Sequence, residues 1–144
     1  MLANQNAKNP QFAHEWSSKL VVLDTNILVS GFWSPNGEPA KILALLQNGN
    51  LSACYDQRIL TEYHEVLARP KFGFDPWEIN DFLSFLQQEG LSVVPAPLPM
   101  EFIDESDRAF YETAKHCNAC LITGNIKHFP KDGVAVLPRE FLAR

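Results

Sequence analysis

KLVVLDTNILVS, residues 19–30, opens with four aliphatic side chains in a row, Leu20-Val21-Val22-Leu23, and breaks at a carboxylate, Asp24. An unbroken aliphatic run of this length suits a strand buried on both faces, as in a parallel sheet. In open α/β sheets the ligand crevice lies beyond the carboxyl ends of the strands, which is where Asp24 falls. A charge there is costly unless it faces a cleft and meets a cation. The competing reading is that Asp24 simply caps the turn that follows, a common use of aspartate.

The chain is 144 residues long, with 46% hydrophobic and 20% charged residues, and this suits one domain with a proper core. We expect a polar extension over residues 1–19, with Phe12 and Trp16 docked on the body, and a single domain over residues 20–144. The opening residues have no apolar h-region, so they do not read as a secretory signal, and no apolar run is long enough to span a membrane. Three cysteines without framework spacing predict a reduced, cytoplasmic protein. Cys117 and Cys120 form a C-x-x-C, but it bridges a helix end and a buried strand, which favours core packing over redox chemistry or zinc. Seventeen acidic against twelve basic residues give a formal charge of −5. That argues against a nonspecific nucleic-acid coat protein, whose own charge is usually basic, but not against a nuclease whose site binds metal cations.

Beyond the opening strand, residues 32–38 read as a loop, with turn signals at Pro35 and Asn36-Gly37. Pro39 starts a helix with Ile42, Leu45 and Leu46 on one stripe, and Gly49 stops it. A strand at 51–55 follows. Asp56 caps the next helix, which buries Ile59, Leu60, Tyr63, Val66 and Leu67 and ends at Pro70. Asp75-Pro76-Trp77-Glu78 opens another helix, closed by Gly90. Residues 91–94 read as a strand, and Pro95, Pro97 and Pro99 force an extended segment. A helix over 104–118, strands over 119–123 and 134–137 and a tail over 139–144 complete the chain. Strands alternating with helices predict a three-layer α/β/α sandwich around a central parallel sheet.

Several carboxylates can converge on one edge of that sheet. Asp24 ends the first strand. Glu62 lies beside Tyr63 and one turn before Val66, at the border of a buried stripe. Asp107 lies three residues before Phe110, on the inward side of a first helical turn, and Asp104 is one turn further back. Asn125 directly follows a strand. Crowded carboxylates are disfavoured as anions unless a cation joins them, and hard divalent ions with oxygen ligands are the natural partner. Taken singly, Glu62 also reads as a solvated helix charge and Asp107 as an anion at a helix N-terminus. Thr25 and Thr123 can hold a water or a phosphate oxygen, or simply bond backbone. Lys127 and His128 stand near the same edge, where they can touch a phosphate or pack as loop residues. Phe32 and Trp33, read as exposed loop residues, are candidates for stacking on a ligand.

In order, VVLDTNILVS, ILTEYHEVL, DESDRAFYETA and LITGNIKHFP resemble the motifs of the PIN-domain ribonucleases, over almost the whole chain from Leu20 to Leu137. The final motif looks most like the subgroup of toxin components of toxin–antitoxin pairs. The resemblance implies Mg²⁺- or Mn²⁺-dependent cleavage of RNA. By position it makes Asp24, Glu62 and Asp107 the catalytic, metal-binding carboxylates, with Asp104 an additional acidic ligand and Asn26 a polar support for Asp24. Asn125 departs from the family, where aspartate is common; its amide can ligate a metal but brings no charge, which favours one ion over two. The implied partners are RNA, a small antitoxin laid across the acidic cleft and a second copy of the chain. Two other readings stand beside this one. A PIN-like module whose catalysis is weakened by Asn125 would only bind RNA or a partner. A phosphatase using Asp24 as nucleophile would want a second acid where Asn26 stands.

Overall fold

The computed structural model describes residues 19–144; the expected polar extension and the docking of Phe12 and Trp16 lie outside the described residues. The elements run β1 (Leu20–Leu23), α1 (Thr25–Trp33), α2 (Glu38–Gln47), β2 (Ser52–Tyr55), α3 (Gln57–Leu67), α4 (Pro76–Glu89) and β3 (Leu91–Ser92). A 3₁₀ turn (Glu105–Asp107) then leads into α5 (Arg108–Cys117) and β4 (Cys120–Ile122). A second 3₁₀ turn (Ile126–His128), β5 (Ala135–Val136) and α6 (Pro138–Leu142) follow.

The five strands form one sheet in the order β3-β2-β1-β4-β5, and every neighbouring pair is parallel. β1 is central: Val21 pairs with Ala53 on one side and Cys120 on the other, and Leu23 pairs with Ile122. Successive strand side chains point to opposite faces. All four residues of β1 are buried, so helices cover both faces and the architecture is a three-layer α/β/α sandwich. The strand order puts the carboxyl ends of β1 and β4 side by side, and both chains turn there into the segments carrying Asp24 and Asn125.

Local chemistry explains most boundaries. Asp56 accepts from the Ile59 amide at 2.9 Å and Asp75 from the Trp77 amide at 2.9 Å, so both act as helix caps. Asn118 ends α5 in the left-handed region at φ 51°, which asparagine tolerates better than most residues. At Gly90 a Cβ would meet the Leu86 carbonyl oxygen at 2.5 Å and the Ala53 carbonyl oxygen at 2.8 Å, so backbone packs against backbone where α4 returns to the sheet.

The structure departs from the sequence-based expectations at several places. No helix was expected directly after Asp24; α1 occupies Thr25–Trp33, and the expected loop at 32–38 is shortened by it and by α2, which starts at Glu38. Phe32 is consequently half-buried, edge-on to Phe82 with centroids 5.4 Å apart, and is not an exposed stacking residue. On α2 the buried set is Ile42, Leu43 and Leu46, with Leu43 replacing Leu45. β3 spans only Leu91–Ser92 and lies at the sheet edge, with Val94 outside it and 92% exposed. The prolines that follow have no N–H with which to continue a ladder. The expected helix over 104–118 starts as a 3₁₀ turn and becomes α-helical only at Arg108. The expected tail is α6, with Pro138 in its first turn and Glu140 Oε1 accepting from the Leu137 amide at 3.0 Å.

Candidate metal centre at the carboxyl edge of the sheet

Asp24 is the last residue before α1, and its own amide donates to the Ile122 carbonyl at 3.0 Å, extending the β1–β4 ladder by one bond. Its side chain forms no capping hydrogen bond to the helix, contrary to the reading of Asp24 as a turn cap. Instead Oδ2 accepts from Thr123 Oγ1 at 2.7 Å and from Asn26 Nδ2 at 3.2 Å. The carboxylate is only 6% exposed. Burial pushes its pKa above the usual carboxylate range; the Thr123 hydroxyl opposes this, and the neighbouring Asp107 carboxylate adds to it. The amides of Thr25 and Asn26 also pull it down, although neither closes a capping bond.

Thr123 and Asn26 form the frame that aims this carboxylate. Thr123 is fully buried; its Oγ1 donates to Asp24 and accepts from the Asn125 amide at 2.9 Å. Asn26 Oδ1 accepts from the Gly124 amide at 3.1 Å while its amide group donates to Asp24. The two side chains thus tie the loop after β4 to the loop after β1. Asn125 itself is exposed and begins the second 3₁₀ turn.

Glu62 arrives from α3. Its neighbour Tyr63 is fully buried and donates its hydroxyl to the Leu23 carbonyl at 2.5 Å, pinning that helix to the end of β1. The half-buried Glu62 carboxylate accepts from Thr25 Oγ1. Burial raises its pKa, the Thr25 hydroxyl lowers it, the Asp24 and Asp104 carboxylates raise it, and Arg69 lowers it.

Asp107 closes the first 3₁₀ turn, is buried, and contacts His128 Nδ1 through Oδ2 at 3.0 Å. Burial raises its pKa, His128 counteracts this, and Asp104 and Glu62 raise it further. Asp104 behaves differently. It is exposed, and its Oδ1 is engaged by the Ser106 amide at 3.0 Å and the Ser106 hydroxyl at 2.9 Å, which hold its pKa below the usual range. Lys127 is exposed in the second 3₁₀ turn, beside His128.

A network that the sequence reading missed holds the Asp107 turn in place. Glu112 is 3% exposed and accepts from the Leu98 amide at 2.8 Å, while Arg58 Nη1 lies 2.9 Å from its other oxygen. Arg108 donates to the Leu98 carbonyl at 2.7 Å and to the Met100 carbonyl, and it pairs with Glu105 and Glu112. These residues clamp the proline-rich segment after β3 onto α5, immediately before the turn that carries Asp104 and Asp107. The available signal was the spacing of Arg108 and Glu112, an i,i+4 pair on a helix.

The donor set suits a hard cation. Asp24, Glu62 and Asp107 offer oxygen ligands and mutually disfavour ionisation, and among the described residues no lysine or arginine forms an ion pair with any of them. The side chains do not enclose an ion by themselves: among the described residues no group of three or more His, Cys, Asp and Glu is arranged to hold a metal. The expected set of Asp24, Glu62, Asp104, Asp107 and Asn125 therefore does not form a closed cage. Magnesium sites in general use only one or two carboxylates, completed by waters and substrate phosphates. Two clefts lie elsewhere. One of about 630 Å³ is lined by Gly31, Leu43, Phe82 and Phe85, and another of about 530 Å³ by Arg58, Val94 and Pro97; neither includes these three carboxylates.

A parallel α/β sandwich with acidic side chains set past its strand ends carries them where folds of this kind bind their ligands. Residues 20–127 match the family model for the PIN domain, and the chain belongs to the PIN-domain family. Members of this family are generally nucleases and typically use divalent metals. The chain is also 32% identical over 108 residues to an uncharacterised protein of Methanocaldococcus jannaschii, covering 73% of this chain and 70% of that protein. Among the described residues no helix is long and apolar enough to cross a membrane.

Proposed function

We propose that this protein is a metal-dependent endoribonuclease that hydrolyses RNA phosphodiester bonds, and that it serves as the toxin of a cytoplasmic toxin–antitoxin pair. The observation that carries the nuclease reading is the meeting of Asp24, Glu62 and Asp107 from a strand end, a helix and a 3₁₀ turn. Each raises the pKa of at least one of the others, and none has a lysine or arginine partner among the described residues. A buried negative site of this kind is unfavourable without a cation.

In this reading Asp24, Glu62 and Asp107 hold Mg²⁺ or Mn²⁺, which supplies Lewis-acid activation of water and charge neutralisation at the phosphate. The remaining work falls to the chain's own side chains. Thr123 and Asn26 fix the Asp24 carboxylate, Thr25 fixes Glu62, and His128 fixes Asp107, so little reorganisation is left for the reaction. Water adds to phosphorus as the bond to the 3′ oxygen breaks, leaving a 5′-phosphate and a 3′-hydroxyl. Asn125 contributes no charge, which favours a single resident ion. A small antitoxin covering the acidic edge and a second copy of the chain are the protein partners this reading implies, from the likeness of LITGNIKHFP to the toxin subgroup.

The test is cleavage of an end-labelled single-stranded RNA by the full chain with Mg²⁺ or Mn²⁺, against EDTA and against Asp24→Asn. Metal-dependent cleavage lost in Asp24→Asn supports the reading. Undiminished cleavage by that variant removes its basis.

A further inference from the structure

Trp33 ends α1 and stands 58% exposed, although it is braced from beneath. Phe72 and Phe74 stack on each other with centroids 5.4 Å apart and an interplanar angle of 11°, and each meets Trp33 edge-on at 5.9 Å. Phe74 in turn packs on Phe32, which contacts Phe82 of the core. The cluster is therefore rooted in the fold and presents one large aromatic surface to solvent.

Lys71 Nζ sits 5.2 Å from the Phe72 ring centroid. Arg69 lies in the same loop, two residues before Lys71. Arg69 also makes one exposed contact with Glu65 at 3.9 Å, an attraction that solvent screens. Trp33 itself is about 12 Å along α1 from the helix start next to Asp24, at 1.5 Å per residue. In a chain with a formal charge of −5, an aromatic surface flanked by two cations beside a carboxylate cluster is chemically distinct from its surroundings.

We infer that Trp33, braced by Phe72 and Phe74 and flanked by Lys71 and Arg69, is a base-stacking platform for single-stranded RNA leading to the carboxylate site. The inference rests on the ribonuclease reading and narrows it to unpaired substrate. An unpaired base can lay its face on the indole while adjoining phosphates meet Lys71 and Arg69. Bases stacked within a duplex cannot leave the helix to do so without an unstacking cost.

Fluorescence anisotropy of the full chain with a labelled, unstructured decanucleotide RNA tests this, using Asp24→Asn as a common background to keep the RNA intact. Trp33→Ala should raise the dissociation constant by about fivefold to a hundredfold, the range for loss of one base–aromatic stack. Trp33→Phe should recover most of that loss, with an unchanged thermal melt for Trp33→Ala excluding a folding effect. Lys71→Ala should cause a smaller loss that fades as salt is raised. Binding of a duplex RNA of equal length should not respond to Trp33→Ala. An affinity within twofold of the parent for Trp33→Ala, or an equal loss on duplex, overturns the platform. Because the titration reads binding and not hydrolysis, a failed platform leaves the nuclease reading standing, and a failed nuclease test leaves the binding result readable.

Discussion

Replacing Glu112 by alanine should destabilise the protein more than replacing any exposed carboxylate. Its side chain is almost wholly buried and receives the Leu98 amide, Arg58 and Arg108. Removing one partner of a buried ion pair costs about 3–5 kcal/mol, because the other charge is left without compensation. Arg58 and Arg108 side chains are 47% and 22% exposed, so water takes over part of their charge. A loss of about 2–3 kcal/mol is the resulting expectation, or roughly 5–10 °C in Tm for a chain of this size. Glu112→Gln keeps an acceptor for the Leu98 amide and should lose about half as much. Urea titration and thermal melts followed by circular dichroism give both values. The pH dependence carries a second signature. Burial works to raise the Glu112 pKa, but the Leu98 amide and the two arginines more than offset it, leaving it below the usual range. A group depressed in the folded state stabilises above its unfolded pKa and loses that contribution as pH falls through the folded one. The stability gap between the parent and Glu112→Gln should therefore be full at neutral pH and close on acidification below the normal carboxylate range. A Glu112→Ala protein within about 0.5 kcal/mol of the parent at pH 7, the spread of ordinary surface substitutions, would refute the clamp.

Asp24→Asn should lower metal-dependent hydrolysis by at least about a hundredfold. In EDTA the same variant should be about 0.5–2 kcal/mol more stable by urea titration, since a buried charge beside Asp107 is removed while the amide can still accept from Thr123. Thr123→Val keeps the shape but loses the bonds to Asp24 and from Asn125; hydrolysis should fall about 10- to 100-fold with a stability loss of about 1–3 kcal/mol, read from kcat and melts respectively. Asp104→Asn should change hydrolysis by less than about fivefold, because that carboxylate is exposed and already engaged by Ser106; a loss as large as that of Asp24→Asn would make Asp104 a ligand after all.

How far the sequence reveals this molecule depends on the range of the forces involved. β1 was legible because four consecutive aliphatic residues have few structural uses besides a doubly covered strand. The caps at Asp56 and Asp75 were legible because their partners are two or three residues away. The extent of α1 was not, because its second half carries Gly31, Phe32 and Trp33 just before proline and glycine, and only packing against Phe74 and Phe82 decides the matter. Glu112 escaped notice for a similar reason. Its burial depends on Arg58 and Leu98, distant in the chain, and the one local signal, its i,i+4 spacing from Arg108, is equally that of a surface ion pair. At the candidate site, strand and helix periodicity put Asp24, Glu62 and Asp107 at one edge of the sheet, while their expected roles came from the resemblance to the PIN-domain motifs. The Thr123–Asp24 bond spans ninety-nine residues and the openness of the ligand set depends on side-chain reach, and neither is written in local pattern.

In the proposed function, Asp24, Glu62 and Asp107 form the open side of a divalent-ion site. Anomalous diffraction from crystals of the full chain soaked in Mn²⁺ measures this directly. The expected result is one peak within coordinating distance of Asp24 and at least one of the other two carboxylates, with waters filling its remaining positions and no such peak in Asp24→Asn crystals. Manganese bound only elsewhere, or absent at millimolar concentration with this edge of the sheet open to solvent, would contradict the account.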